Sequence, residues 1–321
     1  MRIINVNRND AGQRLDKFLS KAVKGLPTSM MYKYIRLKKI KVNGSRAQPN
    51  DMLAEGDEIA LYIRDEFFDS PEGDVEALFR IVPKIDVLYE DPNILLLNKR
   101  PGVLVHEDAS AGENTLILHV KAYLAQKGEY DPRAEQSFAP ALCNRIDRNT
   151  GGIVIAAKNA DALREMNEKI RNDEVRKFYY CVVHGRMPKR EDTLRAYLKK
   201  NSADNLVSVS DEERSGWKEI ITKYRLLADR QGLSLLEVEL VTGRTHQIRA
   251  HMAHIGHPLL GDGKYGVNRR DRERGYKYQA LYAYRLAFRF ENGEGTLGYL
   301  NGKSFEIPKQ SIWFLKQFLN D

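Results

Sequence analysis

The sequence predicts an α+β protein in two parts, and three observations carry that reading. The positive charge is concentrated at one end: residues 1–64 hold 13 Lys and Arg against 6 Asp and Glu, whereas the rest of the chain is nearly balanced at 39 against 38. A short acidic stretch, DEFFDSPEGDVEALFR (65–80), follows with six acidic residues and one basic, together with Ser-Pro and Glu-Gly breaks. Beyond it, β-branched and aromatic runs such as RKFYYCVVHG (176–185) alternate irregularly with single helical patterns. The chain of 321 residues is long enough for two domains and a sizeable core. No run approaches the roughly 18–20 apolar residues of a membrane helix. The opening MRIINVNR lacks an apolar signal core and reads as a strand, so the cytoplasm is the expected compartment. A net charge of +8, lodged almost wholly in one small module, points to a polyanionic partner, nucleic acid before membrane.

The N-terminal module has two helical patterns and a hairpin. Leu15, Phe18, Leu19, Ala22 and Val23 share one helical face, and Gly25 and Pro27 end that helix. A second helix is expected from Thr28 or Ser29, either of which is a capping residue, with Met31, Tyr34 and Ile35 inward and Lys33 and Arg36 outward. Ile40-Lys41-Val42 alternates like a strand before Asn43-Gly44, a strong hairpin signal. Leu53–Ile63, turning at Glu55-Gly56-Asp57, closes a small sheet. The pieces GQRLDKFL, RLKKIKVNG and LxxGDEIxL resemble the S4 RNA-binding domain, in the variant of one branch of ribosomal-RNA pseudouridine synthases. Lys33, Arg36, Lys38, Lys39, Lys41 and Arg46 fall on or near one helix and the following hairpin, a surface suited to neutralising phosphates rather than reading bases.

In the larger part, Val87–Tyr89 and Ile94–Lys99 read as strands around an Asp-Pro-Asn turn. Lys99-Arg100-Pro101-Gly102 combines two cations with turn residues, as where backbone passes close to phosphate. A helix is expected from about Thr115 to Gln126, then a polar surface loop to Ala139. ALCNRIDRNTGGIVIAAK (141–158) sets a carboxylate between two arginines, ahead of a polar turn, two glycines and an apolar strand. Asn159 caps a helix carrying Leu163, Met166 and Ile170. Lys200–Gly216 reads as a polar loop, and Trp217–Leu227 with Leu233–Val241 as a strand pair. Thr245 is a candidate cap for a helix bearing Gln247, Arg249, His251 and His254. Ser311–Leu319 reads as a C-terminal amphipathic helix with Ile312, Leu315, Phe318 and Leu319 as its stripe.

Several chemistries fit poorly. Four of seven histidines fall between His246 and His257, but the helix carrying His251 and His254 holds no acid, and no cysteine lies near. A glycosidase-like carboxylate pair would need a partner for Asp147; only Glu135 lies within a dozen residues, and Asp262 is the best distant candidate. Lys99–Gly102 lacks the glycine spacing of a phosphate-binding loop. Cys143 and Cys181 make neither a disulfide framework nor a metal site.

From about Val82 onward the chain resembles the RNA pseudouridine synthases. The family's HRLDRxTSG reads NRIDRNTGG (144–152); its KxYxAxVxG reads KFYYCVVHG (177–185). TGRTHQIRxHxAxxGHPxxGDxxYG is present in full from Thr242 to Gly266, and the NKPxG motif is recognisable at Asn98–Gly102. Asn144 and Gly151 replace the family's usual His and Ser, Arg100-Pro101 replaces Pro-x, and Tyr282 stands where His is common. The resemblance implies a mixed, largely antiparallel central sheet. It implies that Asp147 is the nucleophile, or its electrostatic equivalent, when the uracil–ribose bond breaks, the base rotates and rejoins through C5. It assigns Arg249 as the cation paired with Asp147 and Tyr179 as the ring that packs on the base and accepts a proton in a sugar route. The target uridine must leave its stack. Arg145 is then placed to fill the vacated space, with Lys99, Arg148 and the basic segment including Arg269 and Arg270 as backbone contacts. Isomerisation needs no cofactor, nucleotide or metal.

The expectation is therefore an S4-type domain at 1–64, an acidic linker at 65–81 that lets the basic module swing, and a catalytic domain at 82–321. The expected activity is conversion of uridine to pseudouridine in large-subunit (23S) ribosomal RNA by a monomer, with transfer RNA as the alternative substrate. A non-catalytic S4 protein that binds ribosomal RNA is the alternative outside enzymes.

Overall fold

The computed structural model describes residues 1–68, 73–106, 115–201, 206–266 and 268–318. In the N-terminal module, β1 (Arg2–Asn5), α1 (Leu15–Ala22), α2 (Thr28–Arg36), β2 (Ile40–Val42), β3 (Ser45–Arg46) and β4 (Glu58–Leu61) form an antiparallel sheet of order β1-β4-β2-β3 beneath two helices. Leu15, Phe18, Leu19 and Val23 meet Met31, Tyr34 and Ile35 over Ile40, Ile59 and Leu61, so the helical stripes read from sequence make this core. Asn43 and Gly44 both take positive φ, 51° and 73°, as a two-residue hairpin turn requires. Neither Thr28 nor Ser29 caps α2: Thr28 is already helical, and the extended Pro27 precedes it with its carbonyl accepting from the Met31 N–H. Proline's fixed φ makes the entry without a side-chain cap.

The acidic stretch is more ordered than its composition implies. Asp65–Phe68 forms a 3-10 turn whose Phe67 enters the N-terminal core, and α3 (Gly73–Arg80) sets Leu78 against Ala122 and Ala125 of the later helix α4 (Leu116–Gln126). The module is also tied to the larger body by polar contacts. Asn9 Nδ2 donates to Glu135 at 2.7 Å, Gln13 Nε2 to Ser137 at 2.7 Å, and Ser137 Oγ to the buried Asp10 at 2.6 Å. Arg164 Nη1 donates to the Ala11 carbonyl at 3.0 Å. The loop read only as polar surface is thus a docking segment.

The larger body is one sheet. Its strands are β5 (Val87–Glu90), β6 (Ile94–Lys99), β7 (Ala141–Leu142), β8 (Gly151–Ala157), β9 (Val175–His184), β10 (Glu191–Asn201), β11 (Leu206–Ser210), β12 (Lys218–Arg230), β13 (Leu233–Leu240), β14 (Leu281–Phe288) and β15 (Ser304–Glu306). The order is β11-β10-β12-β13-β9-β14-β8-β6-β5, with β7 beside β8 and β15 beside β14; β14 and β8 run parallel and the other neighbours antiparallel. Helices α5 (Ala160–Arg171), α6 (Gln247–His254) and α7 (Asn268–Glu273) complete the body. The sheet is mixed, largely antiparallel and covered on both faces. Along β9, Phe178, Tyr180 and Val182 enter one core while Tyr179, Cys181 and Val183 enter the other, beside Ile248 and Met252 of α6. Among the described residues no helix is long and apolar enough to cross a membrane.

Two further stretches differ from the sequence reading. Within Lys200–Gly216, β11 pairs with β10, because Val207 finds an apolar seat against Ile220 and Ala250. The expected C-terminal helix is instead two 3-10 turns, Lys309–Ser311 and Leu315–Gln317. Trp313 and Phe314 join Ile312 and Leu315 in the core, so burial on more than one side replaces a single helical stripe. Leu319 lies outside the described residues.

Candidate active site

The parallel junction of β14 and β8 creates the site. Asp147 sits in the turn leading into β8, closed by the Thr150 N–H donating to the Asp147 carbonyl at 3.0 Å. Thr150 is buried and accepts from Gln279 Nε2 at 3.1 Å, which ties the turn to the segment entering β14. A Cβ on Gly152 would lie 2.2 Å from the Ala283 carbonyl oxygen, so the two backbones meet there without a side chain between them.

Gly151 and Tyr282, two departures from the family pattern, explain each other. They are register partners, and a Cβ on Gly151 would lie 2.3 Å from the Tyr282 ring. The Tyr282 hydroxyl donates to Asn98 Oδ1 at 2.7 Å, so the ring fills the space a serine would need. Asn144, the third departure, acts as a piece of backbone: its Oδ1 accepts from the Ile155 N–H at 2.8 Å, extending the pairing beside β8.

Arg249, on α6, binds two carboxylates. Its Nη1 donates to Asp147 Oδ2 at 2.7 Å, while Nε and Nη2 donate to Asp262 Oδ2 and Oδ1 at 2.7 and 2.9 Å. Burial opposes its charge, but the paired carboxylates raise its pKa well above the ordinary value. Asp262 is wholly inaccessible, and the Lys264 and Tyr265 N–H groups also donate to it. Burial works against its carboxylate, yet Arg249 and these donors hold its pKa below the ordinary value. The sequence reading considered Asp262 as a second acid; with its lone pairs so occupied, it anchors the arginine instead. The Arg249 side chain also lies over the Tyr265 ring, 5.3 Å from the centroid.

Tyr179 is buried on β9, on the same sheet face as Ile146 and Ile248. Burial, followed by the charge of Asp147, pushes its phenol well above its ordinary pKa. Asp147, Tyr179 and Arg249 therefore converge from a turn, a strand and a helix far apart in sequence.

Lys99 is not a backbone contact for nucleic acid. It is 2% exposed, and its Nζ donates to the carbonyls of Arg100, Val103 and Arg148 at 3.1, 2.9 and 2.9 Å. Burial pushes its pKa down to about 7, against the opposing pull of Asp147. It clamps the Arg100–Val103 turn to the Asp147 turn, and Arg148 Nε adds a 3.1 Å bond to the Gly102 carbonyl. The turn read as a phosphate approach is thus packed against protein, with Gly102 beneath the Tyr278 hydroxyl.

The other basic candidates are on the surface. Arg145 and Arg148 are exposed beside Asp147; Arg269 and Arg270 are exposed on α7, which Asp271 pins by accepting from the Gly261 N–H at 2.8 Å. Lys33, Arg36, Lys38, Lys39 and Arg46 are exposed on the module, and Lys41 is half-buried with its Nζ 5.7 Å from the Tyr62 ring centroid.

The clustered histidines diverge. His251 Nδ1 lies 3.0 Å from Thr222 Oγ1, His254 Nε2 2.8 Å from Asp211 Oδ1, and His257 Nδ1 2.9 Å from the His184 carbonyl. Burial, then His254, pushes His251 down to about 4. His246 alone faces the site, its Nε2 lying 3.9 Å from Asp147 Oδ1. Thr245 does not cap α6; His246 does so in the left-handed conformation, φ 53°, with no side-chain cap bond. Sequence reasoning missed His246 and Tyr265 as site residues, although both lie within the long motif from Thr242 to Gly266.

The RNA pseudouridylate synthase family model matches residues 93–254, and the S4 domain model matches residues 13–59. The chain is 32% identical over 299 residues to the ribosomal large subunit pseudouridine synthase C of Yersinia pestis, covering 91% of this chain and 88% of that protein. It is likewise 32% identical over 296 residues to an uncharacterized RNA pseudouridine synthase of Mycoplasma genitalium, covering 90% of each. The solved structure of human RNA pseudouridylate synthase domain containing 1 superposes with a TM-score of 0.53 at 20% identity, over 74% of this chain and 96% of that one. Together with the S4-topped mixed sheet, these matches show that the chain belongs to the RNA pseudouridylate synthase family and is an RNA pseudouridine synthase.

Proposed function

We propose that Asp147, Tyr179 and Arg249 carry out the isomerisation, and that the substrate is large-subunit ribosomal RNA. The observation that carries the site is Arg249 spanning two carboxylates. Asp262 fixes two of its nitrogens in the interior, and the third is presented to Asp147, which remains accessible to a flipped base. A carboxylate held this way is oriented before substrate arrives.

In the reaction the N1–C1′ bond breaks, the uracil turns, and a C5–C1′ bond forms. The C5 proton leaves and N1 gains one, so atoms balance without an added reactant. Asp147 serves as nucleophile toward the base or the sugar and then departs. Tyr179 enters as a neutral phenol, its pKa raised chiefly by burial, so it packs on the base and holds a proton rather than starting as a phenolate.

The substrate assignment rests on the S4 module and on relatives named ribosomal large subunit pseudouridine synthase C. The target is 23S RNA, met in the cytoplasm by a monomer, with domain limits at 1–64, 65–81 and 82–321. Lys33, Arg36, Lys38, Lys39 and Lys41 contact phosphates on the module, while Arg145, Arg148, Arg269 and Arg270 do so around the site. Pseudouridine mapping of RNA from cells lacking the protein, complemented with wild type or Asp147→Ala, tests this. Ribosomal sites should be lost and restored only by wild type. Loss confined to transfer RNA would reassign the substrate, and full restoration by Asp147→Ala would leave the protein with an RNA-binding role alone.

A further inference from the structure

His246 lies inside the site, yet the roles given to Asp147, Tyr179 and Arg249 do not use it. Its side chain is 7% exposed, and its backbone is held left-handed at φ 53°. A non-glycine residue in that conformation is uncommon, and such strain concentrates where a side chain must be aimed. What it is aimed at is set by Tyr265. The Val207 N–H donates to the Tyr265 hydroxyl oxygen at 3.0 Å, and the same hydroxyl lies 2.9 Å from His246 Nδ1. With its oxygen already accepting, the Tyr265 O–H gives its proton to Nδ1. The imidazole then carries its own proton on Nε2. Nε2 faces Asp147 Oδ1 at 3.9 Å, just beyond hydrogen-bond range, while Asp147 Oδ2 is held by Arg249.

We propose that His246 is a positioning residue for Asp147: Tyr265 fixes its tautomer so that Nε2–H closes on Oδ1 once RNA is seated, leaving each carboxylate oxygen with one donor. This rests on the reading of Asp147 as the reacting carboxylate. The groups facing the imidazole are Asp147 from the turn before β8, Arg249 from its own helix, and Asp262, Lys264 and Tyr265 from the loop after α6. Burial is the largest influence on the ring and favours its uncharged form, with Arg249 and Lys264 adding to it against the two carboxylates. A neutral donor orients Asp147 without neutralising it. Arg249 alone leaves the carboxylate free to swing about one contact; a second donor on the other oxygen fixes its plane.

The test uses the full chain and total RNA isolated from cells lacking the protein, measuring single-turnover pseudouridine formation and RNA affinity separately. His246→Asn keeps a residue that tolerates the left-handed backbone, and Tyr265→Phe keeps His246 and the ring beside Arg249 but removes the hydroxyl. Each should slow the chemical step about 10- to 100-fold while RNA affinity stays within about twofold. The double variant should be no slower than His246→Asn, because Tyr265 acts through the imidazole. Rates within about twofold of wild type, loss of RNA affinity in step with rate, or multiplying effects in the double variant would each overturn the proposal. Asp147→Ala separates the layers. If it is active, the reading of the whole site fails; if it is inactive while His246→Asn runs at full speed, only the role of His246 fails.

Discussion

Replacing Asp262 by asparagine removes the inner anchor of Arg249 while nearly preserving shape. The wild-type carboxylate accepts from Arg249 Nε at 2.7 Å and Nη2 at 2.9 Å, and from the Lys264 N–H at 2.8 Å, with no exposed surface. Breaking a buried ion pair by removing one partner costs about 3–5 kcal/mol. Here Asp147 still faces Nη1 at 2.7 Å, and asparagine retains one acceptor, so the loss should sit at the lower end. We expect about 3 kcal/mol, or about 6–12 °C in Tm for a body of this size. The pH dependence has a definite sign. The Asp262 pKa is depressed, so its contribution is present above the unfolded value near 3.8 and is lost as pH falls through the lower folded value. The Tm gap between wild type and Asp262→Asn should therefore be full at pH 7 and narrow below about pH 4. The same substitution frees Arg249 to move off Asp147, so single-turnover pseudouridine formation should fall about 100-fold with RNA affinity little changed. Thermal denaturation across pH and a single-turnover assay check both. A variant that melts within about 2 °C of wild type at pH 7 and keeps its rate would show that Asp262 does not anchor the site.

Three other outcomes are expected. Lys99→Met leaves the Arg100, Val103 and Arg148 carbonyls without their donor, so denaturant midpoints should report a loss of about 3 kcal/mol and turnover should fall through the displaced Asp147 turn. Gly151→Ala should be destabilising by more than about 2 kcal/mol, and by less than about half of that in a Tyr282→Ala background, because the clash is with that ring; equal losses in both backgrounds would refute the coupling. Replacing Lys33, Arg36 and Lys38 together with alanine should lower the slope of log affinity against log salt by about 2, read by RNA titration at several salt concentrations, with single-turnover chemistry at saturating RNA unchanged.

The sequence by itself determined the N-terminal module, because its two helical stripes and the Asn43-Gly44 hairpin are local patterns with a small core to satisfy. It also pointed to the residues proposed for the chemistry, because Asp147, Tyr179 and Arg249 lie in long motifs that resemble those of the RNA pseudouridine synthases. Tertiary structure decided what each neighbour does. Lys99 looked free for phosphate in a turn with Arg100, but three carbonyls from two turns, Arg100 and Val103 in one and Arg148 in the other, close over it. Asp262 looked like a spare acid, but it is the counter-charge that burial of Arg249 demands. The β11 strand and the C-terminal turns were hidden because their burial comes from distant partners, Ile220 and Ala250 in one case and the body's core in the other. His246 was one histidine among four, and the direction of its ring follows from a left-handed backbone and from Tyr265, nineteen residues away. Local periodicity records which face of an element is apolar. Which buried charge meets which is set by packing between elements that the sequence holds a hundred residues apart.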